Sequence, residues 1–168
     1  MNPSPNPDQT LSQYEGLLVG LSRAEFEFAL VGGVAVILNG YARVTQDLAI
    51  LVAKYPENIQ RLLGYLIHWG EGWAREIQPQ EFVAQEGSIR ISEDFDLDVL
   101  TLMRGHAWED FISRASSFET QGVRIHFLAP ADLIELKRHS FRDKDQLDVL
   151  ALREILHREV AAAAQPPP

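Results

Sequence analysis

Cysteine is missing altogether from the 168 residues, which excludes disulfides, thiolate metal sites and cysteine nucleophiles and makes the chain indifferent to redox compartment. Long apolar runs are missing too. No stretch approaches the roughly 18 to 20 residues of a membrane span, so no membrane partner is expected. Basic residues are scarce: 15 Lys and Arg face 24 Asp and Glu, for a net charge of −9. An acidic chain repels a phosphate backbone, which argues against broad, charge-driven nucleic-acid binding. The opening MNPSPNPDQT has neither a basic start nor an apolar stretch and does not read as a signal peptide. A cytoplasmic location is the default expectation.

What is present suits one domain. Hydrophobic residues make up 46% of the chain, enough for one sizeable core. Residues 1–10 and 161–168 are rich in Pro, Asn or Ala and are expected to be disordered, leaving a single domain over 11–160. Apolar spacing predicts helices over Leu11–Ala24, Val34–Leu38, Pro56–His68, Trp108–Ala115, Pro130–Ser140 and Lys144–Glu159. In the last of these, Leu147, Leu150, Ile155 and Leu156 are expected to face the core. Strands are expected over Phe28–Val31, Asp47–Ala53, Phe82–Ala84, Ser88–Ser92, Phe95–Thr101 and Val123–Leu128, with Gly70–Gln80 as a loop. That order implies an α+β fold, a mixed sheet covered by helices with helices gathered at the C-terminal end.

Two segments carry chemistry. In Phe28–Val52 a strand runs into Gly32-Gly33, which open a helix; glycines allow close approach to phosphate oxygens, and a helix start presents free N–H groups. Alternation on the next strand puts Asp47, Ala49 and Leu51 on one face and Leu48, Ile50 and Val52 on the core face. In Ser88–Thr101, Asp94, Asp96 and Asp98 share a face opposite Phe95, Leu97 and Val99. Carboxylates in a row repel one another unless cations or a solvent-filled cleft lie opposite.

Gly32-Gly33 with Ala35, Gly40, Arg43, Thr45 and Asp47 resembles the nucleotidyltransferases of the DNA polymerase β superfamily. The nearest branch is the small bacterial one related to abortive-infection and toxin–antitoxin proteins. The resemblance spans about residues 26 to 155. It implies a polymerase-β-like fold and transfer of a nucleoside monophosphate from a nucleoside triphosphate to an acceptor hydroxyl, which RNA, a protein or a small molecule could carry. It also implies two magnesium ions held by three carboxylates, and a cognate toxin or antitoxin as a possible partner. By position, Gly32 and Gly33 match the glycine pair, and Asp47 the first metal aspartate. Asp98 best matches the third, with Asp96 as the alternative. Arg43, Thr45, Lys137 and Arg142 match residues that steady the triphosphate, and Asp47, Asp98 and Lys137 form the expected catalytic set. Ala49 stands where the family's second metal aspartate belongs. Losing that carboxylate removes a ligand from each ion, so impaired transfer is expected. Asp96, about 6.6 Å from Asp98 along the strand, is a possible substitute donor.

Plainer readings stand beside these. Gly32-Gly33 could be an ordinary strand-to-helix turn, and Asp47 a strand-edge carboxylate. The Asp94 to Asp98 row could be a solvated face, as is expected of Asp94 itself. Residues 137–144 hold four of the 15 Lys and Arg residues, which could simply favour a helix C-terminus. Asp145 and Asp148 could pair with Arg142 or Lys144 on the surface. His106, His126, His139 and His157 lack metal-ligand spacing. Trp73 could meet a nucleotide base. The alternative function is a non-catalytic nucleotide-binding or toxin–antitoxin interaction protein.

Overall fold

The computed structural model describes residues 7–167. Helix α1 (Pro7–Arg23) leads into strand β1 (Phe28–Val31), helix α2 (Gly32–Leu38), strand β2 (Asp47–Val52) and helix α3 (Pro56–Leu66). Strands β3 (Ser88–Ser92) and β4 (Asp96–Leu100), helix α4 (Trp108–Phe111) and strands β5 (Ser116–Thr120) and β6 (Val123–Phe127) follow. Helices α5 (Pro130–Lys137) and α6 (Asp143–Ala163) close the chain. The six strands form one mixed sheet in the order β3-β4-β2-β1-β6-β5. β2 runs parallel to β4 and β1 parallel to β6, while β1–β2, β3–β4 and β5–β6 are antiparallel.

Position in the sheet follows from sequence. The run Phe28-Ala-Leu-Val31 is buried at every residue, as an inner strand covered on both sides must be. α2 packs on β1 and β2, α1 lies against β6, and α5 packs on α6. β5 and β6 are joined by a two-residue turn, Gln121-Gly122, with φ of 47° and 79°, the all-positive conformation that suits the twist of a hairpin. No helix among the described residues is long and apolar enough to cross a membrane.

Several sequence expectations are corrected here. α1 begins at Pro7, because proline fits a helix's first turn, and α6 continues through Ala161–Ala163, because alanine is the best helix former. The expected disorder at 1–10 and 161–168 therefore does not extend to residues 7–10 or 161–163; residues 1–6 and 168 lie outside the described residues. No strand forms at Phe82–Ala84. Phe82 is buried, but only as the anchor of a loop that follows the short 3₁₀ turn Pro79–Glu81. A second such turn, Trp73–Glu76, interrupts the predicted loop. The α6 face is also rotated from its expected setting. Leu147 and Leu150 are exposed, whereas Asp145, Asp148, Val149 and Leu152 point inward.

One polar side chain ties the sheet's centre together. Asn58 is fully buried at the start of α3. Its Oδ1 accepts from the Glu27 amide at 2.8 Å, and its Nδ2 donates to the Glu27 carbonyl at 2.9 Å and the Ala53 carbonyl at 2.7 Å. It thus clamps the beginning of β1 to the end of β2. Asn58→Ala strands the Glu27 amide and the Ala53 carbonyl, while the Glu27 carbonyl keeps the Ala53 amide at 3.2 Å; it should lower unfolding stability by about 2–4 kcal/mol, as read by chemical denaturation. A loss below about 0.5 kcal/mol would show that water replaces the amide freely.

Candidate functional site

A cleft of about 240 Å³ opens where β2 and β4 lie side by side beside the β1–α2 turn. Segments from the sheet and the C-terminal helices build it. Gly32 and Gly33 come from the start of α2, Asp47 and Ala49 from β2, and Asp98 from β4. Arg43 and Thr45 come from the loop before β2, Lys137 from the end of α5, and Arg142 and Asp145 from the α5–α6 junction. Parallel pairing sets Asp47 opposite Asp96 and Ala49 opposite Asp98. The sequence-predicted residues therefore meet in one place, apart from Asp96, which stands at the cleft's outer edge with Arg90. Asp94 precedes β4 and is exposed. Trp73 is 55% exposed and belongs to a separate surface hollow that also includes Arg90.

The glycines are demanded by close approach. Gly32 has φ of +64°, a conformation that L side chains rarely adopt, and a Cβ there would lie 3.2 Å from the Ala49 methyl. A Cβ on Gly33 would come within 2.7 Å of the Thr45 hydroxyl and 2.9 Å of an Arg43 guanidinium nitrogen. The glycine pair thus admits the loop that carries Arg43 and Thr45. The Thr45 hydroxyl in turn reaches the Asp47 carbonyl at 3.3 Å.

One wall of the cleft is a buried ion network. Asp148 is completely buried, and Arg43 grips it, with Nη2 donating to Oδ2 at 2.9 Å and Nε lying 2.8 Å from Oδ1. Lys137 Nζ sits 3.1 Å from the same carboxylate and donates to Asp145 Oδ1 at 2.7 Å. Ser140 donates to the other Asp145 oxygen at 2.7 Å. Asp145 and Asp148 are therefore interior partners of Lys137 and Arg43, and Asp145 also makes the expected pair with Arg142, at 3.9 Å. Removing Asp148 would leave the nearly buried Arg43 without a carboxylate and Lys137 with Asp145 alone; breaking a buried pair in this way typically costs about 3–5 kcal/mol. Lys137 keeps 13% of its side chain exposed, toward the cleft it lines; Arg142, 66% exposed, stands at the mouth.

The opposite wall carries a residue that sequence reading did not single out. Arg90, in the middle of β3, is in register with Asp98. Its Nε and Nη2 donate to the two Asp98 oxygens at 2.9 Å each; its Nη1 reaches Asp96 at 3.3 Å and its Nη2 reaches Asp47 at 3.5 Å. The signal for it lies in the alternation Ser88-Ile-Arg-Ile-Ser92, which turns Ser88, Arg90 and Ser92 to one face. Hydrogen bonds from Arg90 hold the Asp98 carboxyl below the ordinary range against the opposing pull of burial, helped by the Ser88 hydroxyl. The same carboxylates push the Arg90 guanidinium still higher. At Asp145, burial works to raise the pKa, but hydrogen bonds from Lys137 and Ser140 outweigh it and the net direction is down.

These depressed values fix the sign of the acid response. A carboxyl whose folded pKa is below its unfolded one stabilises the fold above the ordinary aspartate value of 3.8 and loses that contribution as the pH falls through the lowered value. Unfolding stability should hold steady from neutrality down to about pH 4 and then fall. Asp145→Asn should flatten that fall, measured by denaturant unfolding at a series of pH values. An acid profile parallel to that of the unaltered chain would mean that Asp145 is not held ionised by Lys137.

Comparison with known proteins agrees with this fold. No match was found among curated proteins. Among solved structures, the chain is similar in fold to an antigenic nucleotidyltransferase-like protein from Paracoccidioides brasiliensis, at 14% identity and a TM-score of 0.51, over 86% of this chain and 75% of that one. Residues 15–160 match the family described as "Nucleotidyltransferase of unknown function (DUF6036)", and the chain belongs to that family.

Proposed function

We propose that the cleft binds a nucleoside triphosphate, entering as its magnesium complex, and that the chain is a nucleotidyltransferase whose transfer step is throttled by Ala49. The observation that carries this reading is the meeting of Gly32, Gly33, Asp47, Asp98, Lys137 and Arg142 around one cleft. In the reaction the acceptor hydroxyl oxygen bonds to the α-phosphorus, the bond from that phosphorus to the bridging oxygen of the β-phosphate breaks, pyrophosphate leaves, and the hydroxyl proton passes to solvent. Chemistry of this kind depends on positioning and on charge placed around the phosphoryl group. Lys137 and Arg142 supply positive charge at one wall, and the Gly32-Gly33 turn leaves room for phosphate oxygens. Arg43 and Thr45 hold the loop that shapes this wall.

The side chains present do not fit two resident magnesium ions. Among the described residues no group of three or more His, Asp or Glu side chains is arranged to hold a metal. Position 49 offers a methyl group beside Asp98, and Asp98 itself is already satisfied by Arg90. Nucleotide binding is therefore retained in this reading while transfer is slow. The acceptor class fits a hydroxyl on RNA, a protein or a small molecule; the net charge of −9 disfavours a long nucleic-acid tract.

The test is Ala49→Asp, with transfer of label from α-phosphate-labelled nucleotides to a panel of acceptors. The substitution faces the cleft and should raise the transfer rate about a hundredfold or more, the scale at which one element of transition-state charge is worth several kcal/mol. Thermal stabilisation by magnesium nucleotides should appear in both proteins. A folded Ala49→Asp protein that binds nucleotide but transfers nothing would favour a non-catalytic nucleotide-binding role. Absence of nucleotide binding in both would end the reading altogether.

A further inference from the structure

The arrangement around Arg90 goes beyond a routine surface ion pair. One guanidinium bonds to three carboxylates drawn from two strands, and it grips both oxygens of Asp98 with the planar fork that matches a carboxylate. Asp98 is the most buried of the three, with 11% of its side chain exposed, against 37% for Asp47 and 40% for Asp96. Among the described residues no other cation pairs with it, and its further neighbours are Asp47 and the Ser88 hydroxyl, the latter at 3.5 Å. The sequence of β2 leaves a gap beside it: Ala49 is in register with Asp98 and offers no oxygen. Asp47, Asp96 and Asp98 thus form a patch of negative charge whose neutralising partner is a side chain of the chain itself.

That side chain faces solvent. β3 is an edge strand of the sheet, and 53% of the Arg90 side chain is exposed. Only the three carboxylates hold the guanidinium over β4. A divalent ion would seek the same Asp98 and Asp47 oxygens and would compete there with a guanidinium of like charge, which already donates to each Asp98 oxygen at 2.9 Å.

We infer that Arg90 is the resident cation of this cleft: its guanidinium occupies the Asp98 and Asp47 carboxylates in the free protein and keeps divalent metal ions off them until it swings out. This rests on the reading of those carboxylates as the cation-binding side of a nucleotide cleft. It makes the free protein indifferent to magnesium. Metal enters with the nucleotide, whose phosphates supply both the additional oxygen ligands and a new partner for the expelled guanidinium.

The experiment is a manganese titration without nucleotide, followed by electron paramagnetic resonance of the unbound ion. The unaltered chain should bind weakly, and Arg90→Gln should bind at least about tenfold more tightly, since a charge-assisted fork no longer competes for the ligands. Asp98→Asn in the Arg90→Gln background should abolish that gain. A folded Arg90→Gln protein with unchanged or weaker manganese binding overturns the inference. Should that variant fail to fold, Arg90→Lys serves instead, because an ammonium keeps the charge but loses the fork; a gain of about threefold supports the inference and no gain overturns it. On the unaltered chain, exchange of the Arg90 Nε–H followed by NMR should be slow without nucleotide and should quicken when a magnesium–triphosphate complex is added; exchange that stays slow through nucleotide saturation overturns it as well. Nucleotide binding measured in parallel separates the two claims. Binding without the Arg90→Gln gain removes this inference alone, and the gain without nucleotide binding removes the functional reading alone.

Discussion

A buried carboxylate that two cations must neutralise governs how this molecule is put together. Asp148 projects from α6 with no exposure, and it is tolerable there only because Arg43 and Lys137 converge on it from two other segments. That requirement draws the loop before β2, the end of α5 and the first turns of α6 into one wall. Arg43 cannot reach Asp148 unless its loop passes tightly over the β1–α2 turn, where Gly33 alone leaves room for it and for Thr45. The glycine pair, the loop and the C-terminal helices are consequently a single mechanical unit. Thr45 passes that constraint to Asp47 at the head of β2, and parallel pairing passes it on to Asp96 and Asp98.

Much of this was legible in the sequence, and for identifiable reasons. The apolar run at Phe28–Val31 and the alternation in Asp47–Val52 and Asp96–Leu100 encode strands whose faces are unambiguous. The inward aim of Lys137 follows from its helical spacing with Leu133. The α6 face was misjudged because hydrophobicity was used to find the inward stripe. There the inward stripe begins with two aspartates, Asp145 and Asp148, and continues into Val149 and Leu152. A charge that is buried by pairing looks like surface until its partners are known, and those partners lie 105 and 11 positions away in the chain for Arg43 and Lys137. Arg90 was hidden for the same reason. Alternation set its face, but its meaning depended on the β3–β4 register that brings it opposite Asp98. The strand expected at Phe82–Ala84 failed because one buried aromatic residue anchors a loop as readily as a strand.

The two walls of the cleft differ in kind. On the α5–α6 side, cations and carboxylates neutralise each other in the interior, with Lys137 and Arg142 presented toward the opening. On the β2–β4 side, the buried Asp98 and the partly exposed Asp47 and Asp96 are covered by a half-exposed guanidinium from an edge strand. Ala49 sits between the walls, where the family resemblance calls for the second metal aspartate. In the proposed reading this charge pattern receives a phosphate-bearing ligand along the first wall and restrains metal chemistry at the second.

The most direct test of that account is a crystal structure of the chain with manganese and a non-hydrolysable nucleoside triphosphate, read by anomalous scattering. The account predicts a triphosphate lying between the Gly32-Gly33 turn and Lys137, one manganese ion on the phosphates near Asp47, and Arg90 displaced from Asp98. Two manganese ions bound at Asp47 and Asp98 with Arg90 still in place, or a triphosphate seated outside this cleft, would contradict it.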